Sequence, residues 1–412
     1  MACQGWPFCE GGVLPTNPAA WIVFFHRLAV GLIGIFLVAY NLRAWRTQRT
    51  QRASLTLANM FVVLYFAQGF VGALKAVRTF PPHMLALHEA TAASLIVVGA
   101  ALLVAVGLAQ RTTAEENAEA QFPINRTQRR KDFLALNKPI VVSLLLATTL
   151  AGMVIGAGKF PPLNIVVWTM LGGALAAGGS SAVNQYIDRD LDGLMTRTAK
   201  RPIPSGRMTP AEGLAFGVTS LLVSFYMLAG LVNMLAALLS LAGMIYYVVF
   251  YSILLKKRSD QNIVIGGGAG AIPPLVGWAA ATGSLNLTAG FLFLIIFLWT
   301  PPHFWALALT RQNEYAAAGV PMMPVERGEE ETRKQIYIYT IVLVAATLLM
   351  WAFGLVGWVY LVGAVILGAY LLYLAWNVLR NGRNKVYYKM YRHSNYYLLL
   401  LFVVLAVDAV VK

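Results

Sequence analysis

Long apolar runs separated by short polar segments set the pattern of this chain. They fall at about 19–42, 55–74, 84–109, 139–157, 163–183, 211–230, 233–255, 263–281, 287–309, 336–356, 358–378 and 395–411. Each is long enough, or nearly so, to cross about 30 Å of hydrocarbon as a helix, so twelve spans are expected. A polar stretch over 111–137 interrupts the series, acidic from Thr112 to Glu119 and basic from Arg126 to Lys131. It reads as a linker between a three-span unit, 1–110, and a nine-span unit, 138–412.

Composition agrees with an all-α polytopic membrane protein. Of the 412 residues 58% are hydrophobic and 12% charged, and mean hydropathy is +0.65. A net charge of +15 invites a nucleic-acid reading. The placement of the cations removes it: all but Arg27, Lys75, Arg78, Lys159 and Lys412 of the 32 Lys and Arg residues fall on one set of alternate loops. That bias orients the chain, with these loops cytoplasmic and both termini outward. No cleavable signal peptide is expected, because residues 1–18 lack a basic start and an apolar core. Cys3 and Cys9 both lie in the outward N-terminal segment, an oxidising side, where a disulfide fits.

The densest chemistry follows the fifth run. Asn184, Asp188 and Asp192 recur every four residues, and Arg197, Lys200 and Arg201 come next. On a helix that spacing advances about 40° per step, so the three side chains share one stripe, roughly 6 Å apart in rise. Carboxylates so placed suit Mg²⁺ shared with phosphate oxygens, and the trailing cations suit the same anion. A solvated loop at a helix end would explain the acids but neither the register nor the cations.

Further motifs lie at the same cytoplasmic ends. Lys256-Lys257-Arg258 precedes Asn262, and either anchors a span or reaches a diphosphate held at Asp188 and Asp192. Gly266 to Gly270 with Pro273-Pro274 implies close helix packing and a bend or break. Trp299-Thr-Pro301-Pro302-His303-Phe304-Trp305 implies a second proline break beside an intramembrane histidine. Arg311, Glu314 and Tyr315 follow, and Glu314 would place a second acidic group opposite the first. In the first unit, His26 and His88 lie at similar depth on different helices, where two imidazoles can hold a haem iron or simply bond to backbone or water.

Taken together, Asn184-x₃-Asp188-x₃-Asp192 with Arg197-Thr and Arg201-Pro resembles the first motif of the intramembrane aromatic prenyltransferases. Asn262-Ile-Val-Ile-Gly266, Ala271-Ile-Pro273-Pro274-Leu-Val-Gly277-Trp278, Thr300–Trp305 and Tyr315 to Pro324 are similar to the protohaem IX farnesyltransferase (haem O synthase) family within it. Glu314 stands where that family leads one to expect aspartate. Cys3 to Glu10, Pro15, His26-Arg27 and His88 look like the C-terminal part of haem A synthase, in which the loop cysteines form a disulfide and the histidines hold haem b. The chain opens almost inside that pattern, which leaves room for an upstream start.

The resemblance implies a nine-helix prenyltransferase bundle preceded by three extra transmembrane helices, in the inner membrane of a prokaryote. It implies farnesyl transfer from farnesyl diphosphate to a vinyl group of haem b, with Mg²⁺ on Asp188, Asp192 and Glu314. Asn184, Lys257 and Arg258 would assist at the diphosphate, and Arg197, Arg201, Asn262, Tyr315 and His303 would bind substrate, His303 on the haem side. The added unit would hold haem or dock haem A synthase, which consumes haem O. A quinone precursor is the nearest alternative acceptor. A transporter would need ionisable residues in mid-membrane, whereas these sit at the cytoplasmic ends. An electron-transfer protein would leave Asp188 and Asp192 idle.

Overall fold

The computed structural model describes residues 15, 18–77, 82–111 and 125–411. Among them every regular element is helical, and twelve helices are long and apolar enough to cross a membrane. The protein is a multi-pass, all-α membrane protein. Its contacts divide it into two compact units, Met1–Pro123 with Thr209–Thr219, and Ile124–Met208 with Ser220–Lys412.

The first unit contains α1 (Pro18–Thr47), α2 (Arg52–Val77) and α3 (Pro82–Arg111), with α2 packed on both neighbours. Asn59 Oδ1 accepts from Asn41 Nδ2 at 2.9 Å and from Trp45 Nε1 at 3.1 Å, tying α1 to α2 through polar side chains. Cys3 and Cys9 lie outside the described residues.

The second unit begins with α4 (Arg126–Leu136), a short helix inside the stretch expected to be linker. Asn125 caps it by accepting from the Thr127 N–H, and its buried Asp132 pairs with Arg207 Nε at 3.0 Å. Then come α5 (Pro139–Ala157), α6 (Leu163–Ile187), the single turn and a half of α7 (Arg189–Leu194) and, from Ser220 on, the second half of α8 (Pro210–Leu231), whose first half belongs to the first unit. The span α9 (Met234–Leu255) changes to a π-helix from Tyr246. Apart from a single turn at Met323–Glu326, the rest are α10 (Asn262–Thr282), α11 (Leu287–Thr310), α12 (Gln312–Ala317), α13 (Gly328–Ala352), α14 (Trp358–Arg380) and α15 (Asn384–Val411). The last helix packs on α5, so the first and last spans of this unit meet.

Small residues let backbones touch where α5 crosses α10. A Cβ on Gly277 would lie 1.9 Å from the Thr149 carbonyl oxygen, and one on Gly152 would lie 2.3 Å from that of Pro274. Only glycine permits so close a crossing. The core proper is built from α10, α11, α13, α14 and α15, with Trp305, Leu292, Ile295, Tyr360 and Leu401 almost wholly enclosed.

The first proline pair interrupts its helix as expected, and the second does not. Near Gly266 the helix breaks at Gly267, and Pro273 then opens a fresh segment at its first turn, where a missing N–H costs nothing. Pro301 and Pro302 sit inside a helix that runs through them. The ends also run on past the hydropathy limits. Glu329, Glu330 and Glu331 occupy the first turn of α13, where acids suit the helix dipole. The basic segment around Lys389 is the start of α15 rather than a loop, because Tyr387 and Met390 are buried.

Candidate active site

The α6 helix ends at Ile187, yet its hydrogen-bond ladder continues through Asp188. The Asp188 N–H donates to Asn184 O at 2.9 Å, and the Asp192 N–H donates to Asp188 O at 2.7 Å. One stripe therefore carries all three side chains, as the spacing implied. None is solvated: Asn184 is 3% exposed, Asp188 0% and Asp192 2%. Buried carboxylates need partners, and each has a cation. Asp188 Oδ2 is ion-paired with Lys256, and Asp192 Oδ2 with Arg201 Nη1 at 2.5 Å. Thr198 Oγ1 donates to Asp192 O at 2.8 Å, which folds the chain after α7 back so that Arg201 can reach.

Asn184 links the rest. Its Nδ2 donates to Asp188 Oδ2 at 2.7 Å and to Ser252 Oγ at 2.9 Å, while its Oδ1 accepts from Lys138 Nζ at 3.1 Å. Burial, with the Arg201 and Lys256 charges close by, pulls the Lys138 ammonium down to about 7. Ser252 lies in the π-helical part of α9 and donates to Tyr247 O, and the Lys256 N–H donates to Tyr251 O five residues back. A π-turn spreads side chains differently around the axis than an α-turn does, and such turns gather at functional sites. Here one brings Ser252 and Lys256 to the acids together. One acceptor stays open: Asp188 Oδ1 is buried with no hydrogen-bond partner.

A second segment closes on the same place. Leu191 and Met195 pack with Ile263, Ala308, Ala318, Val320 and Met322. Asn262, 1% exposed, donates to Pro321 O at 3.3 Å and weakly to Lys256 O at 3.4 Å, and its own Oδ1 is a second buried acceptor without a partner. Burial raises the Tyr315 hydroxyl, with Arg197, Tyr251, Lys256 and Arg311 as the other charges that act on it. Two buried acids, the two half-buried cations paired with them and two open oxygen acceptors suit a metal-bound anion far better than a neutral ligand.

The model of the UbiA prenyltransferase family matches residues 145–401. The chain belongs to the UbiA prenyltransferase family. Its relatives are of two lengths. A protoheme IX farnesyltransferase of Roseiflexus castenholzii is 42% identical over 426 residues, which cover 99% of this chain and 79% of the relative. One from Symbiobacterium thermophilum is 45% identical over 293 residues, 71% of this chain and 98% of the relative. Gloeobacter violaceus has another, 49% identical over 68% of this chain and 92% of its own. Among solved structures, one of digeranylgeranylglyceryl phosphate synthase aligns with a TM-score of 0.59 at 16% identity, over 69% of this chain and all of that one. An apo UbiA homolog from Aeropyrum pernix K1 gives 0.52 at 18% identity, over 65% and 97%. The fold is thus that of UbiA proteins.

Within this UbiA site the structure gathers Asn184, Asp188, Asp192, Arg201, Asn262 and Tyr315. Lys257 and Arg258 are exposed, and their neighbour Lys256 makes the contact to Asp188. Arg197 is exposed, though its charge acts on Tyr315. Glu314 is half-buried and pairs weakly with Arg311 at 3.4 Å. Among the described residues no three acidic, histidine or cysteine side chains form a ready-made metal cage, so Glu314 does not complete a triad with the first two acids. Sequence reading missed Lys138 and Ser252 and did not single out Lys256 from its two basic neighbours, because nothing in linear spacing announces a π-turn or an elbow 46 residues upstream.

His303 is 5% exposed and sits in an aromatic nest. Trp299 stacks on it at 4.2 Å, Tyr391 lies at 4.7 Å and Phe304 at 5.0 Å, and its Nδ1 is 2.8 Å from Ser394 Oγ. In the first unit His88 turns toward α2, its Nε2 3.2 Å from Gln68 Nε2, while His26 is exposed on α1.

Proposed function

We propose that this UbiA member transfers a farnesyl group from farnesyl diphosphate to a vinyl group of haem b, giving haem O and diphosphate. What carries the reading is the name shared by relatives 42–49% identical to it, protoheme IX farnesyltransferase. The bond between farnesyl C1 and the diphosphate oxygen breaks, and C1 bonds to the terminal vinyl carbon. Water adds to the resulting porphyrin-stabilised cation and releases a proton, which balances the reaction.

The donor set fits Mg²⁺, since the open Asp188 Oδ1 is the kind of oxygen a hard cation takes. Asp188 and Asp192 would hold the ion, which when bound supplies positive charge to the leaving diphosphate. Lys256 and Arg201, already at the acids, bind the diphosphate's remaining charge, helped by Arg197, Lys257 and Arg258 from the exposed rim. Asn262 and Tyr315 orient it. The farnesyl tail runs down α6 from there. Ala176 lies about 12 Å along α6 from Asn184, beside Leu221, Ser224, Phe225 and Met244 in a narrow crevice between α6, α8 and α9 that must widen to take the chain. His303 contacts the haem, and the aromatic nest around it sets its orientation. The excess of basic residues on one set of loops supports a site on the cytoplasmic face of a prokaryotic inner membrane.

The full chain in detergent, given haem b, farnesyl diphosphate and Mg²⁺, is expected to form haem O, identified by mass. Prenylation of a hydroxybenzoate in place of haem would overturn the acceptor.

We further propose that the first unit binds haem b between His26 and His88, and that haem A synthase docks there. The histidines lie eight and six residues from the starts of two 30-residue helices, so they sit at similar depth. His88 would leave Gln68 to do so. Full-length protein carrying His26→Ala and His88→Ala is expected to lose a low-spin haem spectrum. Unchanged haem content would refute the site.

A further inference from the structure

Lys138 has a backbone that does not suit its residue type. Among the described residues it alone, glycines apart, has positive φ, at 47° with ψ 64°. A left-handed backbone is unfavourable for any residue with a Cβ, and Pro139 restricts its predecessor further. Strain of this kind persists where the surroundings enforce it, often at functional sites.

The surroundings here are explicit. Leu136 O accepts from Ser181 Oγ at 2.7 Å and from Gln185 Nε2 at 2.8 Å, so the elbow between α4 and α5 is pinned to α6. Gly178 lies beneath it, where a Cβ would stand 1.9 Å from Asn137 Oδ1. The pinned elbow aims Lys138 Nζ at Asn184 Oδ1, one turn above Asp188.

As an ammonium Lys138 can only donate and the Asp188 carboxylate can only accept, so between them they fix both ends of the amide. The Asn184 oxygen must point to Lys138, and the Nδ2 group must then point to Asp188 Oδ2 and Ser252. With Lys256 on the same carboxylate oxygen, Oδ2 is fully engaged and Oδ1 stays open. Without Lys138 the buried Asn184 oxygen loses its donor, and the amide is held from its Nδ2 end alone, by Asp188 Oδ2 and Ser252.

We propose that Lys138 is a positioning residue for the prenyl-transfer site: it locks the Asn184 amide so that Asp188 offers one oxygen, Oδ1, to the metal of a metal–diphosphate. The inference rests on the reading that Asp188 holds Mg²⁺. Lys138 precedes the region matched to the UbiA family, 145–401, and acts on it from outside.

Lys138→Gly tests it, since glycine suits the backbone and removes only the side chain. Mn²⁺ binding is measured by electron paramagnetic resonance on the full chain with farnesyl thiodiphosphate. The expected result is affinity weaker by about tenfold, the worth of one charged hydrogen bond. The unfolding temperature should hold or rise, and KM for haem b should not change. Mn²⁺ affinity within roughly twofold of the parent protein would overturn the proposal, as would a fall in unfolding temperature with a matching rise in KM for haem b. A parent protein that binds no Mn²⁺ would instead remove the metal reading on which it rests.

Discussion

Asp188→Asn is expected to lower haem O formation on the order of a thousandfold, since a metal's stabilisation of a leaving anion is worth several kcal/mol. Asparagine keeps the size and one acceptor oxygen, so Asn184 and Lys256 retain a partner and the fold survives. What disappears is the negative charge at the open Oδ1 position. Turnover measured beside thermal unfolding separates the two. Normal turnover at normal stability would refute the metal assignment, and loss of both together would mean that Asp188 is needed for folding first.

The second large effect should come from Lys256→Met. It strips the cation from a carboxylate that is 0% exposed. Removing one member of a buried ion pair costs about 3–5 kcal/mol, because the other charge is left uncompensated. Lys256 retains 18% side-chain exposure, so the lower end applies. Both unfolding temperature and turnover should fall. Lys257→Met, at an exposed neighbour, should lower the unfolding temperature little and turnover modestly. If Lys257→Met proved the more damaging, the ion pair to Asp188 would not be the functional contact.

Lys256 also marks where sequence reading stops. The Asn184, Asp188 and Asp192 stripe was legible because a period of four is a property of the chain itself, and the ladder through Asp188 preserves it. The spans were legible because hydropathy does not depend on partners. Which of Lys256, Lys257 and Arg258 faces inward depends on helix phase, and the π-turn from Tyr246 resets that phase. Apolar composition there cannot reveal it. Lys138 and Asn184 meet through a fold contact, so no local pattern could have joined them. Pro301 and Pro302 misled in the other direction: proline removes a donor, but the helix of Leu287–Thr310 carries on, with its neighbours Thr300, His303 and Trp305 held in the core.

The π-turn carries one more consequence. Such a turn is an ordinary helix with one residue to spare, and the spare residue here sets where the following lysine ends up. Delete any one position between Tyr247 and Ser252, and the coil would tighten by about 100°. Ser252 and Lys256, four residues apart, would then stand about 40° from one another around the axis, as on any α-helix. The meeting of serine and lysine at the acids therefore hangs on a count of residues as much as on their kinds.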